Sequence, residues 1–341
     1  MTSYRADITT VARAAGVSPA TVSRVLNHPD LVSAPTRNRV EAAIRATGYI
    51  RNRAAQSMHG RRSATLGLVV PTVDYSIFAE LVQSFNDAVA EHEFTLLLAT
   101  HGYDLAAEYR VLRKLYEHRV DGIALIGLDH DADTFRLIAS QDVPVVAAWS
   151  WTPDSALPCI GADNAEAGRA AAGHLLGLGH RRIALVFPPS GENDRARARY
   201  EAARASLAAA GSAPPARWSA RAPYDTSQAK AVCRDLLAGP DRPSALVCGN
   251  DVIAQGAISA ATALGLPIPA ALSIVGIGDF PGSADTVPPL STVAIPARQI
   301  GARAGRHLVE CLADGPRAEI LRERFPVELR QRGTTAPPGP A

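Results

Sequence analysis

Residues 8–27, Ile-Thr-Thr-Val-Ala-Arg-Ala-Ala-Gly-Val-Ser-Pro-Ala-Thr-Val-Ser-Arg-Val-Leu-Asn, constrain this chain more than any other stretch, because they read as two short helices joined by a glycine turn. Ile8, Val11, Ala12 and Ala15 recur at helical spacing, and Gly16 can take the positive φ that ends a helix. Ser18 then supplies an N-cap and Pro19 the first position of the second helix. Val22, Val25 and Leu26 form its apolar face. The opposite face carries Pro19, Ala20, Thr21, Ser23, Arg24 and Asn27, all small, polar or basic. A helix lying in a DNA major groove must present such a face, so the pattern predicts a helix-turn-helix. A third helix over 37–47, with Val40, Ala43, Ile44 and Thr47 inward and Gly48 at its end, would close a small three-helix core.

An ordinary two-helix corner would show the same turn, and charge separates the two readings. Residues 1–62 hold ten arginines against three acidic residues, a local balance of +7, whereas the rest of the chain carries 25 basic and 30 acidic residues. The overall formal charge of +2 therefore hides a basic head on an acidic body. A basic head attracts a phosphate backbone, whereas a merely solvated face mixes signs over the same length.

Beyond the third helix the chain reads Gly-Tyr-Ile-Arg-Asn-Arg-Ala-Ala-Gln-Ser-Met over 48–58. The order Asp-Ile-x-x-Val-Ala-x-x-Ala-Gly-Val-Ser-x-x-Thr-Val-Ser-Arg-Val-Leu-Asn, Thr-Arg-x-Arg-Val, Gly-Tyr-x-x-Asn-x-x-Ala resembles the LacI/GalR family of bacterial transcription regulators. The resemblance implies an all-α helix-turn-helix headpiece over 1–49, a hinge helix or linker over 50–62, and a periplasmic-binding-protein-like α/β body over 63–330. It implies that Arg24 contacts guanine, that Asn52 caps the hinge helix, and that Met58 stands where relatives wedge a leucine into the minor groove.

The body's own pattern agrees with that class. Short apolar runs at 66–70, 95–99, 122–126, 143–147, 182–186, 245–248 and 273–277 alternate with helical stretches at 78–92, 108–118, 165–178, 197–210, 251–264 and 297–314. Repeated βα units of this length predict parallel sheets covered by helices on both faces. The resemblance divides them into two Rossmann-like lobes, one of about 63–161 and 292–321, the other of about 162–291 and 322–330, with crossings near 161–163, 290–292 and 320–325. The tail, 331–341, reads as disordered and lacks the leucine heptads of tetrameric relatives, so a homodimer is expected. No signal peptide or membrane-spanning run is evident, which predicts a cytoplasmic protein without a membrane partner. Cys159, Cys233, Cys248 and Cys311 are too scattered for a disulfide framework or zinc site. Asp129, His130 and Asp131 are adjacent on one loop and argue for no metal. No nucleophile elbow, Walker A or metalloprotease motif occurs, so neither catalysis nor a cofactor is expected.

A small-molecule effector should sit between the lobes. The resemblance places Asp74, Tyr75, Phe78, Trp149, Asp163, Arg199, Tyr224, Asn250 and Asp279 at pocket positions. Two departures bear on its chemistry. Gly278 stands where many relatives have an aspartate that accepts sugar hydroxyls, and Trp149 replaces another. With carboxylates lost and Arg199 kept, a sugar acid becomes a better candidate than a neutral hexose. Two other readings stay open: a solute-binding module without regulatory role, and a regulator controlled by a protein partner.

Overall fold

The computed structural model describes residues 6–50, 62–189, 191, 193–315 and 319–339. Asn52, Met58 and the expected hinge helix lie outside the described residues. The described chain forms two compact units, divided between Ser63 and Ala64.

The first unit is a three-helix bundle. Helix α1 (Ile8–Ala15) starts at Asp7, whose carboxylate accepts from the Thr10 backbone N–H at 2.7 Å, and stops at Gly16 with φ +65°. Helix α2 (Pro19–Asn27) is capped by Ser18, which accepts from Thr21 N–H at 3.1 Å. Helix α3 (Ala34–Thr47) begins one turn earlier than the apolar pattern indicated, with Pro35 in its first turn, and ends at Gly48 with φ +62°. Val11, Ala12, Ala15, Val22, Val25, Val40 and Ala43 form the buried centre.

The second unit holds two six-stranded sheets. Lobe 1 consists of β1 (Thr65–Val70), β2 (Thr95–Thr100), β3 (Gly122–Ile126), β4 (Val145–Ser150) and β5 (Cys159–Ala162), joined late in the chain by β11 (Arg322–Phe325); its order is β11-β5-β4-β3-β1-β2, all parallel. Helices α4 (Ser76–Ala90), α5 (Leu105–Glu117), α6 (Ala132–Ala139) and the late α11 (Ala297–Asp314) cover it. Lobe 2 consists of β6 (Ile183–Phe187), β7 (Ser219–Arg221), β8 (Ala245–Cys248), β9 (Ser273–Gly278), β10 (Ser291–Ala294) and β12 (Glu328–Arg330), in the order β12-β10-β9-β8-β6-β7, with only β12 antiparallel. Its helices are α7 (Asn164–Gly177), α8 (Asp194–Ala209), α9 (Thr226–Leu237) and α10 (Asp251–Ala263). Strands β1, β3, β4, β6, β8 and β9 are buried on both faces, which is why each reads as a continuous apolar run.

Two expectations need correction. The chain crosses first after β5; the second crossing follows Ala294 rather than 290–292, because β10 pairs with β9 in lobe 2, and residues 322–325 belong to lobe 1 rather than lobe 2, because β11 pairs with β5 before the third crossing. The tail is ordered through residue 339 rather than disordered. Thr334 and Thr335 are buried, Ile274 N–H donates to the Thr334 carbonyl at 2.8 Å, Thr334 Oγ1 donates to the Ile274 carbonyl at 2.7 Å, and Ala336 N–H donates to Ser273 Oγ at 3.1 Å. His180 Nε2 lies 2.9 Å from the Ala336 carbonyl and His174 Nε2 lies 2.9 Å from Thr335 Oγ1. Composition alone signals disorder here because the segment's anchors are backbone groups and small hydroxyls, which carry no hydropathy. Among the described residues no helix is long and apolar enough to cross a membrane.

Candidate functional site

On α2 the inward positions are Val22 and Val25, which leaves the polar face outward. Pro19, Ala20 and Arg24 are exposed, and Thr21, Ser23 and Asn27 are half-buried. Thr21 Oγ1 is hydrogen-bonded to Ser18 Oγ at 2.9 Å, and Asn27 Nδ2 donates to the Ser23 carbonyl at 2.7 Å, so the ends of the helix are fixed by their own polar side chains. The Arg24 guanidinium pairs with no other described residue. A free planar fork of this kind matches the O6 and N7 acceptors of guanine.

Between the lobes Tyr75, Ile77, Phe78, Tyr103, Trp149, Arg195, Arg199, Tyr224, Asn250 and Phe280 enclose a cavity of about 20 Å³. That space holds about one water molecule. Arg199 is set by backbone contact: a Cβ at Gly168 would collide with the Arg199 carbonyl, so α7 and α8 approach closely. At that approach Arg199 Nε donates to Asn164 Oδ1 at 2.8 Å and Nη1 to the Gly249 carbonyl at 3.2 Å. Its partners are neutral, and burial, with Arg195 alongside, holds its pKa below the ordinary guanidinium value, the phenols of Tyr224 and Tyr103 notwithstanding.

Arg195, one turn earlier on α8, is in a different state. Burial opposes its charge, but Asp194 at 2.8 Å, with Tyr103 and Tyr224, more than offsets this and raises its pKa. Asp194 Oδ2 accepts from the Leu128 backbone N–H and from Ser150 Oγ, each at 2.9 Å, and Arg195 Nη1 donates to the Ile126 carbonyl at 3.3 Å. Arg197 reaches Asp129 at 2.5 Å. The first turn of α8 thus bonds lobe 2 to lobe 1 across the cleft. Tyr75 and Tyr103 of lobe 1 meet Tyr224 of lobe 2 with ring centroids 5.5 and 5.9 Å apart. Beyond these rings lies an outer cavity of about 370 Å³, walled also by Pro188, Pro189, Asn193 and Pro223.

Of the expected cleft residues, Tyr75, Phe78, Trp149, Arg199, Tyr224 and Asn250 come together, and three acidic ones do not. Asp74 is exposed and bonded to Thr72. Asp163 caps α7 and pairs with Arg169 at 3.0 Å. Asp279, at φ +56°, pairs with Arg332 at 2.7 Å. Gly278 has a local cause as well: at φ +136° any side chain there would strike the Phe280 ring. Asp129 pairs with Arg197, His130 Nδ1 lies 2.8 Å from the buried Glu108 carboxylate, and Asp131 caps α6. Sequence reasoning missed Ile77, Tyr103, Arg195 and Phe280. Asn193 followed by Asp194 is an N-cap signal that would have extended α8 to include Arg195.

Comparison with known proteins agrees with both units. Residues 7–52 match the model for bacterial regulatory proteins of the lacI family, and residues 172–335 match a periplasmic binding protein-like domain. The chain is 31% identical over 311 residues to the transcriptional repressor PurR of Photobacterium profundum, covering 91% of this chain and 92% of that one. It is 31% identical over 294 residues to the repressor CytR of Escherichia coli (strain K12), covering 86% of each. A crystal structure of the lac repressor dimer bound to operator and the anti-inducer ONPF superposes with a TM-score of 0.85 at 27% identity, covering 97% of this chain and 99% of that one. The family is one of transcription regulators rather than enzymes. With a capped helix-turn-helix, a two-lobed body and relatives matched along nine-tenths of its length, the chain belongs to the lacI family of bacterial regulatory proteins.

Proposed function

We propose that this protein is a cytoplasmic, sequence-specific repressor that binds a pseudo-palindromic double-stranded DNA operator as a homodimer and changes its affinity when a small anionic effector occupies the interlobe cleft. The observation that carries the effector half is Arg199, a buried cation whose partners are two neutral oxygens. Had Arg199 paired with Asp163 or Asp279, it would serve lobe geometry alone; both of those carboxylates are engaged elsewhere. A desolvated guanidinium without an anion is costly, and a ligand carboxylate or phosphate relieves that cost. Such a ligand shifts operator affinity by the difference between its affinities for the two lobe arrangements.

The exposed Arg24 supports the DNA half, and one pair of variants tests both. Arg24→Ala weakens specific binding by about 1–3 kcal/mol and relaxes preference at one position per half-site. Arg199→Lys keeps the charge but loses the planar fork, so it binds operator normally and loses its response to an acidic metabolite. Selection from a random duplex library reads the first, and gel shift with and without ligand reads the second. An unchanged consensus for Arg24→Ala, or a full ligand response from Arg199→Lys, overturns the corresponding half.

A further inference from the structure

Resting on the reading of the cleft as the effector site, we propose that the effector is a flat aromatic carboxylate, with Trp149 as the residue that sets this specificity. Trp149 is 3% exposed, and its buried indole N–H has no acceptor among the described residues. Its backbone sits at φ +79°, a conformation that costs a bulky residue on the order of 1–3 kcal/mol. Gly161 on the neighbouring strand makes room for it, since a Cβ there would collide with the Trp149 carbonyl group. The ring packs against Phe78 at 5.3 Å and lines the same cavity as Arg199. Two of the five Arg199 N–H groups have acceptors among the described residues. The cavity is thus lined by a tryptophan whose N–H has no acceptor among the described residues and by a partly used guanidinium fork, both of them donors suited to oxygen acceptors.

The same accounting disfavours a polyol. Each hydroxyl of a sugar acid brings a proton that needs an acceptor, and a buried hydroxyl left without one costs about 1–3 kcal/mol. The carboxylate and amide acceptors nearest the cleft already hold donors, Asp194 from Leu128, Ser150 and Arg195 and Asn250 Oδ1 from the Ile253 backbone N–H, so a polyol would depend on the tyrosine hydroxyls of the wall. Among the described residues no carboxylate lines the cavity, whereas six of the ten lining side chains are aromatic. Offset or edge-on ring contacts with those walls favour a planar ring over a puckered one. The tyrosine rings of both lobes separate the inner cavity from the outer one, so the ligand's ring would lie at that aromatic boundary and its carboxylate would reach inward to Arg199 and Trp149 once the lobes part.

The test is a thermal-shift and calorimetric titration of the full-length protein with benzoate, 4-hydroxybenzoate, phenylacetate and cinnamate. Gluconate and galacturonate serve as sugar acids, and benzamide as the uncharged planar control. At least one aromatic carboxylate should bind, benzamide and the sugar acids should not, and the bound ligand should change Trp fluorescence. Trp149→Phe keeps a ring but removes the N–H, and should weaken the aromatic carboxylate about tenfold. Tight binding of a sugar acid that needs Arg199 but is indifferent to Trp149→Phe overturns the aromatic assignment and leaves the anionic-effector reading standing. If benzamide matches the carboxylates and Arg199→Lys changes nothing, both fall. Failure of every aromatic carboxylate to bind also overturns the inference.

Discussion

The helix-turn-helix and the interlobe cleft both present arginines to a partner, yet they are built in opposite ways. On α2 the outward groups stand within nine consecutive residues, exposed or half-buried, while a separate apolar face holds the helix in place. In the cleft the lining groups come from positions 75 to 280, are buried apart from the half-buried Tyr75, Tyr103 and Tyr224, and share their surroundings with the core. In the first case function and stability use different atoms. In the second they compete for the same ones: Arg199 and Trp149 are held in costly states by neighbours whose own interactions are fully made.

Asp251 offers the largest break in that comparison. Its buried carboxylate accepts from Phe280 N–H at 2.8 Å and from Ser283 Oγ and Thr292 Oγ1 at 2.6 Å each, which fixes the loop carrying Phe280 into the cleft. Asp251→Ala strands three buried donors and should cost about 3–5 kcal/mol of stability in urea unfolding. A loss below about 1 kcal/mol would mean that the cleft wall is not held by this hub. A cap in the headpiece is a smaller, local device. Ser18→Ala removes the acceptor for Thr21 N–H and should cost about 1 kcal/mol, read as a lower melting temperature of the N-terminal unit with effector binding intact.

The smallest effect is a pH dependence confined to the body. Burial lowers the pKa of both His174 and His180 below 6.5, with the charge of His180 adding to the shift of His174 and the Ala336 carbonyl partly offsetting that of His180. The folded state therefore binds fewer protons than the unfolded one as pH falls. The stability these residues contribute is present above pH 6.5 and is lost as pH drops through their lowered folded values. The melting temperature should decline from pH 6.5 toward pH 5, and His180→Gln should flatten that decline. An equally steep profile in the variant would assign the effect to other groups.

How legible each part was in the sequence follows from the same contrast. Caps, glycine stops and apolar periodicity are local, so all three helices of the headpiece could be read, as could the doubly buried strands. Strands β5, β7, β10, β11 and β12 could not: they are three or four residues long, and β7, β11 and β12 lie at sheet edges and are rich in exposed polar side chains. Helix α8 hides its role because two of its buried residues are arginines, where hydropathy places them outside. Asp279 shows the converse: its position suited a ligand contact, but its left-handed backbone and the distant Arg332 turn its carboxylate to another use. A pairing across some fifty residues leaves no trace in a linear pattern.

The late return of the chain has a consequence for how the protein is made. Strand β11 completes the sheet of lobe 1, and β12 with the segment to residue 339 completes lobe 2, so the last eighteen described residues finish both halves. A ribosome translating N-terminus first can release a finished three-helix bundle early, because every contact of that bundle's core lies within its first fifty residues. Neither lobe can close its sheet until residues 322–330 have been made. Until then the nascent chain carries a completed headpiece and two unfinished sheets with open edges, the stage at which a chaperone has the most to shield.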